Sequence, residues 1–211
     1  MNAPSVTANE RLRDRGVARR QAFLKAARTV FLENGYEAAS VNDVVRLAGG
    51  SLATLYSQFG SKEGLFFAVA SDQHDRLARD IVPQNVDHLP FEEYLHAFGE
   101  SLLRATLSRE HMAFYRSFIA EGRKFPELLK RYLANGAEDV RGVLSTRIEA
   151  WAKENSVNLV DADMLPAYFI NLLRTRLHYR MLSEDEFTPT EEEIREHVAK
   201  AVRFFLRSLR A

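Results

Sequence analysis

The chain has 211 residues, 46% of them apolar and 27% charged, with 29 basic and 29 acidic side chains and no cysteine. This suits one or two globular domains with a sizeable core, and it excludes disulfides, thiol redox sensing and cysteine-ligated zinc. No segment approaches the roughly 18 apolar residues that span a bilayer, and no apolar signal core stands at the start, so a cytoplasmic protein without a membrane partner is expected.

Residues 1–18 are read as a basic, irregular arm: Met1 to Asn9 is polar and lacks periodicity, and Arg11, Arg13 and Arg15 follow. With Arg19 and Arg20 they place five positive charges ahead of the first helix. Such an arm either follows a nucleic-acid backbone or minor groove, or is a solvated charge run. Phe23, Ala26, Ala27, Val30 and Phe31 then form the buried stripe of a first helix.

Residues 40–64 read SVNDVVRLAGGSLATLYSQFGSKEG. Ser40 is placed to cap a short helix, with Asp43 three residues on as a short-armed capping box, and Val41, Val44, Val45 and Ala48 make its apolar face. Gly49-Gly50 ends it with residues that tolerate positive φ. Ser51 caps a second helix, in which Leu55 and Phe59 point inward while Ala53, Thr54, Ser57 and Gln58 fall mostly outward, flanked by Tyr56. That outer face is small, hydrogen-bonding and free of acidic residues. Gly60 ends the helix; Ser61 caps the next, whose first turn holds Lys62 and Glu63. Two short helices around a glycine turn form either a helix-turn-helix, whose second helix enters a DNA major groove, or an ordinary helical corner. Charge favours the first: residues 1–64 carry nine Lys/Arg against six Asp/Glu, residues 65–211 carry 20 against 23.

The remainder reads as helices throughout. A long helix runs from Lys62 to about Ile81, Pro83 to Pro90 is a linker, and helices follow over Phe91–Leu107 and Glu110–Glu121. Phe125-Pro126 opens a helix to about Asn155, with Asn135-Gly136 as its point of interruption. Helices over Asp161–Leu182, capped by Asp161, and Glu191–Leu209, with Thr190 and Glu193 as a capping box, complete the chain. The fold class is all-α.

The stretch Phe23 to Val69 resembles the N-terminal domain of the TetR family of bacterial transcriptional regulators, through Gly35-Tyr36, Ser40, Ala48-Gly49, Thr54-Leu55-Tyr56, Phe59 and Ser61-Lys62-Glu63. Gly50 stands where that family usually has an aliphatic residue, and Leu52 where it usually has a basic or polar one. The resemblance implies a helix-turn-helix domain over 19–66 and a helical ligand-binding and dimerisation domain over 67–211. It implies a homodimer on palindromic double-stranded operator DNA, most simply a repressor released by a small apolar or amphipathic effector of unknown identity. Thr54 and Tyr56 then correspond to phosphate contacts, Lys62 to a point charge at the next helix start, and Ser40 to a backbone anchor. Leu52, Ala53, Ser57 and Gln58 remain for reading bases, Gln58 through bidentate pairing with adenine. Ser51, Arg19 and Arg20 complete the candidate DNA-binding set. Leu52 either meets a thymine methyl or packs inward beside Leu55.

The resemblance also makes the last two helices a dimer interface. Leu165, Phe169, Val198, Val202, Phe205 and Leu209 are the interface candidates, against the alternative of burial within one chain. Leu102, Leu103, Met112, Tyr115, Phe118, Tyr168 and Leu172 are the effector-pocket candidates, against the alternative of simple core. Arg104, Arg116, Arg176, His178 and Tyr179 are the groups that an acidic ligand would use. No Walker loop, Gly-x-Ser-x-Gly elbow, HExxH or EF-hand spacing occurs, so neither an enzyme nor a cofactor is expected. The alternatives are an activator with the same docking mode, or a helical adaptor that binds protein.

Overall fold

The computed structural model describes residues 8–81, 86, 88–122, 124–184 and 186–209. These form ten α-helices and no strand: α1 (Ala8–Ala38), α2 (Val41–Ala48), α3 (Leu52–Phe59), α4 (Lys62–Ile81), α5 (Phe91–Thr106), α6 (Arg109–Gly122), α7 (Pro126–Glu154), α8 (Leu165–Leu173), α9 (Arg176–Ser183) and α10 (Glu191–Ser208). The all-α expectation holds. Of the expected linker after α4, residues 83–85 and 87 lie outside the described residues. The chain divides into two compact units, the first ending at Asp72 and the second starting at Gln73, so the division falls inside α4.

One correction concerns the N-terminal arm. Residues 8–18 are helical, the first turns of α1, and only residues 1–7 of the expected arm lie outside the described residues. Arg13, Arg15 and Ala18 are good helix formers. Residues 13–20 are exposed.

Aromatic packing organises the first unit. Phe23, Phe31, Leu55, Leu65 and Phe66 are buried. Gly35 adopts φ +69°, which kinks the end of α1 and lets buried Tyr36 pack with Phe31 and Phe66, at ring separations of 5.9 and 5.0 Å. Phe23 meets Phe59 edge-on at 6.3 Å, which ties α3 to α1.

In the second unit α5, α8 and α10 share a core of Leu95, Phe98, Phe169, Leu173, Val198, Val202 and Phe205. Gly99 permits the approach of α5 to its neighbours: a Cβ there would come within 2.9 Å of Val198 Cγ1 and 3.1 Å of Leu173 Cδ2. The Thr190–Glu193 capping box of α10 forms in both directions, at 3.1 and 2.8 Å.

Three further expectations change. The helix expected over Asp161–Leu182 is two helices, α8 and α9, parted at Arg174-Thr175. The last carbonyls of α8 are met by side chains: Thr175 Oγ1 donates to Leu172 O at 2.8 Å, and His197 Nε2 lies 2.9 Å from Leu173 O. Asp161 is no cap; it holds φ +50° in the turn before α8. α7 runs unbroken through Asn135-Gly136. The interface candidates Leu165, Phe169, Val198, Val202, Phe205 and Leu209 are each 8% exposed or less in the single chain, and Leu165 and Phe205 also line a groove on α8 and α10. Their stripes face one another and α5, because α8 and α10 each need an apolar partner and find it in the same fold.

Candidate nucleic-acid interface and effector region

The turn between α2 and α3 is built by backbone chemistry. Ser40 caps α2 by accepting from the Asn42 amide at 3.2 Å, while Asp43 pairs with Arg46 at 2.8 Å instead of closing the box. Gly49 and Gly50 hold φ +71° and +101°. At Gly50 a Cβ would also approach the Phe23 ring to 3.1 Å, so glycine there answers both conformation and space. Ser51 Oγ accepts from the Thr54 amide at 3.1 Å and shares a 2.9 Å hydrogen bond with the Thr54 hydroxyl.

α3 turns Leu55 and Phe59 into the core and leaves Ser51, Leu52, Ala53, Thr54, Tyr56 and Ser57 exposed. Leu52, at 38% exposure, does not pack inward beside Leu55. Gln58 is half-buried, and its Oε1 is buried without a hydrogen-bond partner. Bidentate pairing with adenine needs both amide atoms at the base edge, so this conformation does not offer it.

The candidate cations also have internal work. Arg19 Nη1 donates to Ala48 O at 3.2 Å, covering the end of α2, and the Arg20 guanidinium lies over the Phe59 ring at 4.6 Å. Lys62 Nζ donates to Glu37 O at 3.0 Å and lies 4.7 Å from the Tyr36 ring centroid. An ammonium has three donors, so Lys62 keeps capacity for a phosphate. Ser61 Oγ caps α4 by accepting from the Gly64 amide at 3.0 Å. Hydrogen bonds from Ser61 and from its own backbone amide hold the Glu63 carboxyl below its ordinary range.

The effector-pocket candidates fall in two places, with Leu102, Leu103 and Met112 in one core cluster. Leu102, Leu103, Met112 and Phe118 are buried, and Tyr115 is half-buried on α6. Tyr168 is 49% exposed and belongs with Leu172 to a different feature, an apolar groove of about 430 Å³ on α8 and α10 lined also by Leu165, Asn171, Thr175, Phe204, Phe205 and Ser208. Of the groups considered for an acidic ligand, Arg104 pairs with Glu100 and Glu191, Arg116 donates to Met181 O, and Arg176 and Tyr179 are exposed. His178 alone is buried.

The sequence matches the family described as bacterial regulatory proteins, tetR family, over residues 23–69, and the AefR-like transcriptional repressor C-terminal domain over residues 93–210. The second match covers more than half of the chain. The chain belongs to the TetR family. Relatives among curated proteins include the HTH-type transcriptional repressor ComR of Escherichia coli K12, 46% identical over 59 residues that span 28% of each chain. The regulator AlkX of Mycobacterium tuberculosis is 28% identical over 127 residues, 60% of this chain and 53% of that one. The chain thus spans about half or less of the length of these two curated relatives. Among solved structures, a TetR-family regulator from Mesorhizobium loti MAFF303099 shares the fold with a TM-score of 0.80 at 20% identity, covering 92% of this chain and 98% of that one. The flavonoid-responsive regulator FrrA aligns with a TM-score of 0.71 at 27% identity, covering 90% of this chain and 96% of that one.

Proposed function

We propose that this protein is a ligand-responsive, sequence-specific DNA-binding transcriptional repressor, working as a homodimer on a palindromic operator in the bacterial cytoplasm. The observation that carries the reading is the division of α3: Leu55 and Phe59 anchor it while Ser51 to Thr54, Tyr56 and Ser57 stand exposed and uncharged. A helix held so firmly with a small hydrogen-bonding face outward suits a major groove. The DNA-binding domain is residues 19–66, and the effector and dimer domain is residues 67–211. Thr54, Tyr56 and Lys62 contact phosphates, Ser40, Arg19 and Arg20 support them, and Leu52, Ala53 and Ser57 read bases. Relatives named as repressors, and FrrA named as flavonoid-responsive, support repression relieved by a small amphipathic molecule.

Dimerisation uses the outer side of α8 and α10, where Phe204 and Tyr168 are 63% and 49% exposed beside the apolar groove. Two copies joined there present two recognition helices to successive major grooves, about 34–36 Å apart. An effector acts only through its differential affinity for the DNA-competent and the released state. α4 belongs to both units, which makes it the covalent route for that change.

The test is selection of random duplex DNA by the purified full-length protein, with the bound pool sequenced. Enrichment of a palindrome is expected. A pool without enrichment, from folded dimeric protein with and without cell-extract metabolites, would overturn the reading.

A further inference from the structure

Within the second unit, His111, His178 and Arg174 collect where, among the described residues, no acid pairs with them. His111 on α6 and His178 on α9 are buried, at 8% and 5% exposure. Tyr115 joins them: its ring stacks on His111 at 6.1 Å and meets His178 edge-on at 5.6 Å. Arg174, at the break between α8 and α9, is half-buried, and its guanidinium has no hydrogen bond or ion pair among the described residues. His178 Nδ1 is buried without a hydrogen-bond partner.

The charge balance is one-sided. Burial pushes the His111 imidazolium down to about 4, and His74, Arg174 and His178 all push the same way. Burial and then Arg174 lower His178 to about 4. Among the described residues no carboxylate is a cause of either shift; Asp75 acts on His74, whose value burial and Arg174 lower. Arg116, also on α6, is engaged with Met181 O. The described residues bring no three His, Asp or Glu together as a metal site, so a cation does not account for the cluster. A buried polar group without a partner is costly, and a half-buried arginine without a counter-ion adds to that. An anion supplied from outside would answer both.

We propose that Arg174, His178, His111 and Tyr115 form an anion-binding site, and that the effector is an apolar organic acid whose carboxylate is held there. The planar guanidinium suits a carboxylate edge-on, and neutral His178 can donate from Nδ1 in the matching tautomer. Leu177 and Met181 of the same helix are buried, and in such apolar surroundings a single charge on an apolar body is favoured, because desolvating more charge costs more. The proposal rests on the reading of the second unit as effector-binding and narrows the effector's chemical class.

The probe is benzoate, with benzamide as its neutral counterpart, titrated into full-length protein at pH 7 without DNA. Binding is read by calorimetry and by the histidine ring signals in NMR. Benzoate should bind at least tenfold more tightly than benzamide, move the signals of His111 and His178, and draw protons from the buffer, since a bound anion raises their pKa values. Arg174→Gln should cost at least tenfold in benzoate affinity and leave benzamide unaffected, while Arg174→Lys retains part of the preference. His178→Gln serves if Arg174→Gln does not fold. Equal binding of the two probes, no response to benzoate, or unchanged affinity in folded Arg174→Gln would each overturn the proposal. Failure of the regulator reading shows separately, as a duplex selection without enrichment.

Discussion

Leu52 and Gln58 occupy opposite flanks of α3, and the fold treats them differently. Leu52 is exposed, whereas Gln58 turns its amide oxygen into the protein without a partner. Leu52→Ala is therefore expected to relax preference at one base pair per half-site, by about 1 kcal/mol, through loss of a thymine-methyl contact. Binding to operator variants at fixed salt measures it, and unchanged discrimination would place Leu52 outside the read-out. Gln58→Met removes an unsatisfied buried acceptor at similar volume, so it should raise stability by up to about 1–2 kcal/mol and keep the operator preference. Denaturant unfolding and the same binding series check both parts. Helical spacing located Leu55 and Phe59 correctly, since helical periodicity defines the centre of a face well. It did not place the residues at the border of that face, where the shape of the neighbouring helix decides.

At the scale of the element, α5 and α10 meet through Gly99. Gly99→Ala puts a methyl against Val198 and Leu173, at 2.9 and 3.1 Å, and should destabilise the protein by about 1–3 kcal/mol. Val198→Ala in the same chain should restore part of that loss. A double-mutant cycle by urea unfolding measures the coupling, and simple additivity would show that Val198 is not what the added methyl strains. The capping box of α10 and the caps at Ser40 and Ser51 were legible in the order of residues alone, because capping is local chemistry within four residues. The break at Arg174-Thr175 was not. It depends on His197, 24 residues from Leu173, reaching a carbonyl that the helix would otherwise have used itself.

For the whole molecule, association and acid stability are the quantities to measure. Phe204→Asp should yield a folded monomer, because Phe204 is 63% exposed, whereas Phe205→Asp buries an unpaired charge in the chain's own core and should impair folding. Sedimentation velocity with circular dichroism separates the two; a dimeric Phe204→Asp would move the interface elsewhere. The buried histidines make stability fall in acid. With folded values near 4 and an ordinary value of 6.5, His111 and His178 bind fewer protons in the folded than in the unfolded state between those limits. Stability is then complete above about pH 6.5 and declines as pH falls toward 4, by on the order of 2 kcal/mol for each histidine by pH 5. Replacing both with glutamine should flatten that decline in thermal unfolding measured from pH 7 to pH 5.

The amino-acid sequence by itself determined the helical class, the glycine turn, the caps and the inward face of α3. Each rests on periodicity or on contacts within a few residues. Tertiary structure alone decided which greasy faces of α8 and α10 meet inside one chain and which remain outside. Periodicity marks a face as apolar without naming what covers it. Structure alone also gathered His111 and Tyr115 of α6 with His178 of α9 and Arg174 at the break before it. Isolated along the chain they read as scattered polar residues, and only the packing of α6 against α9 makes their charges count together.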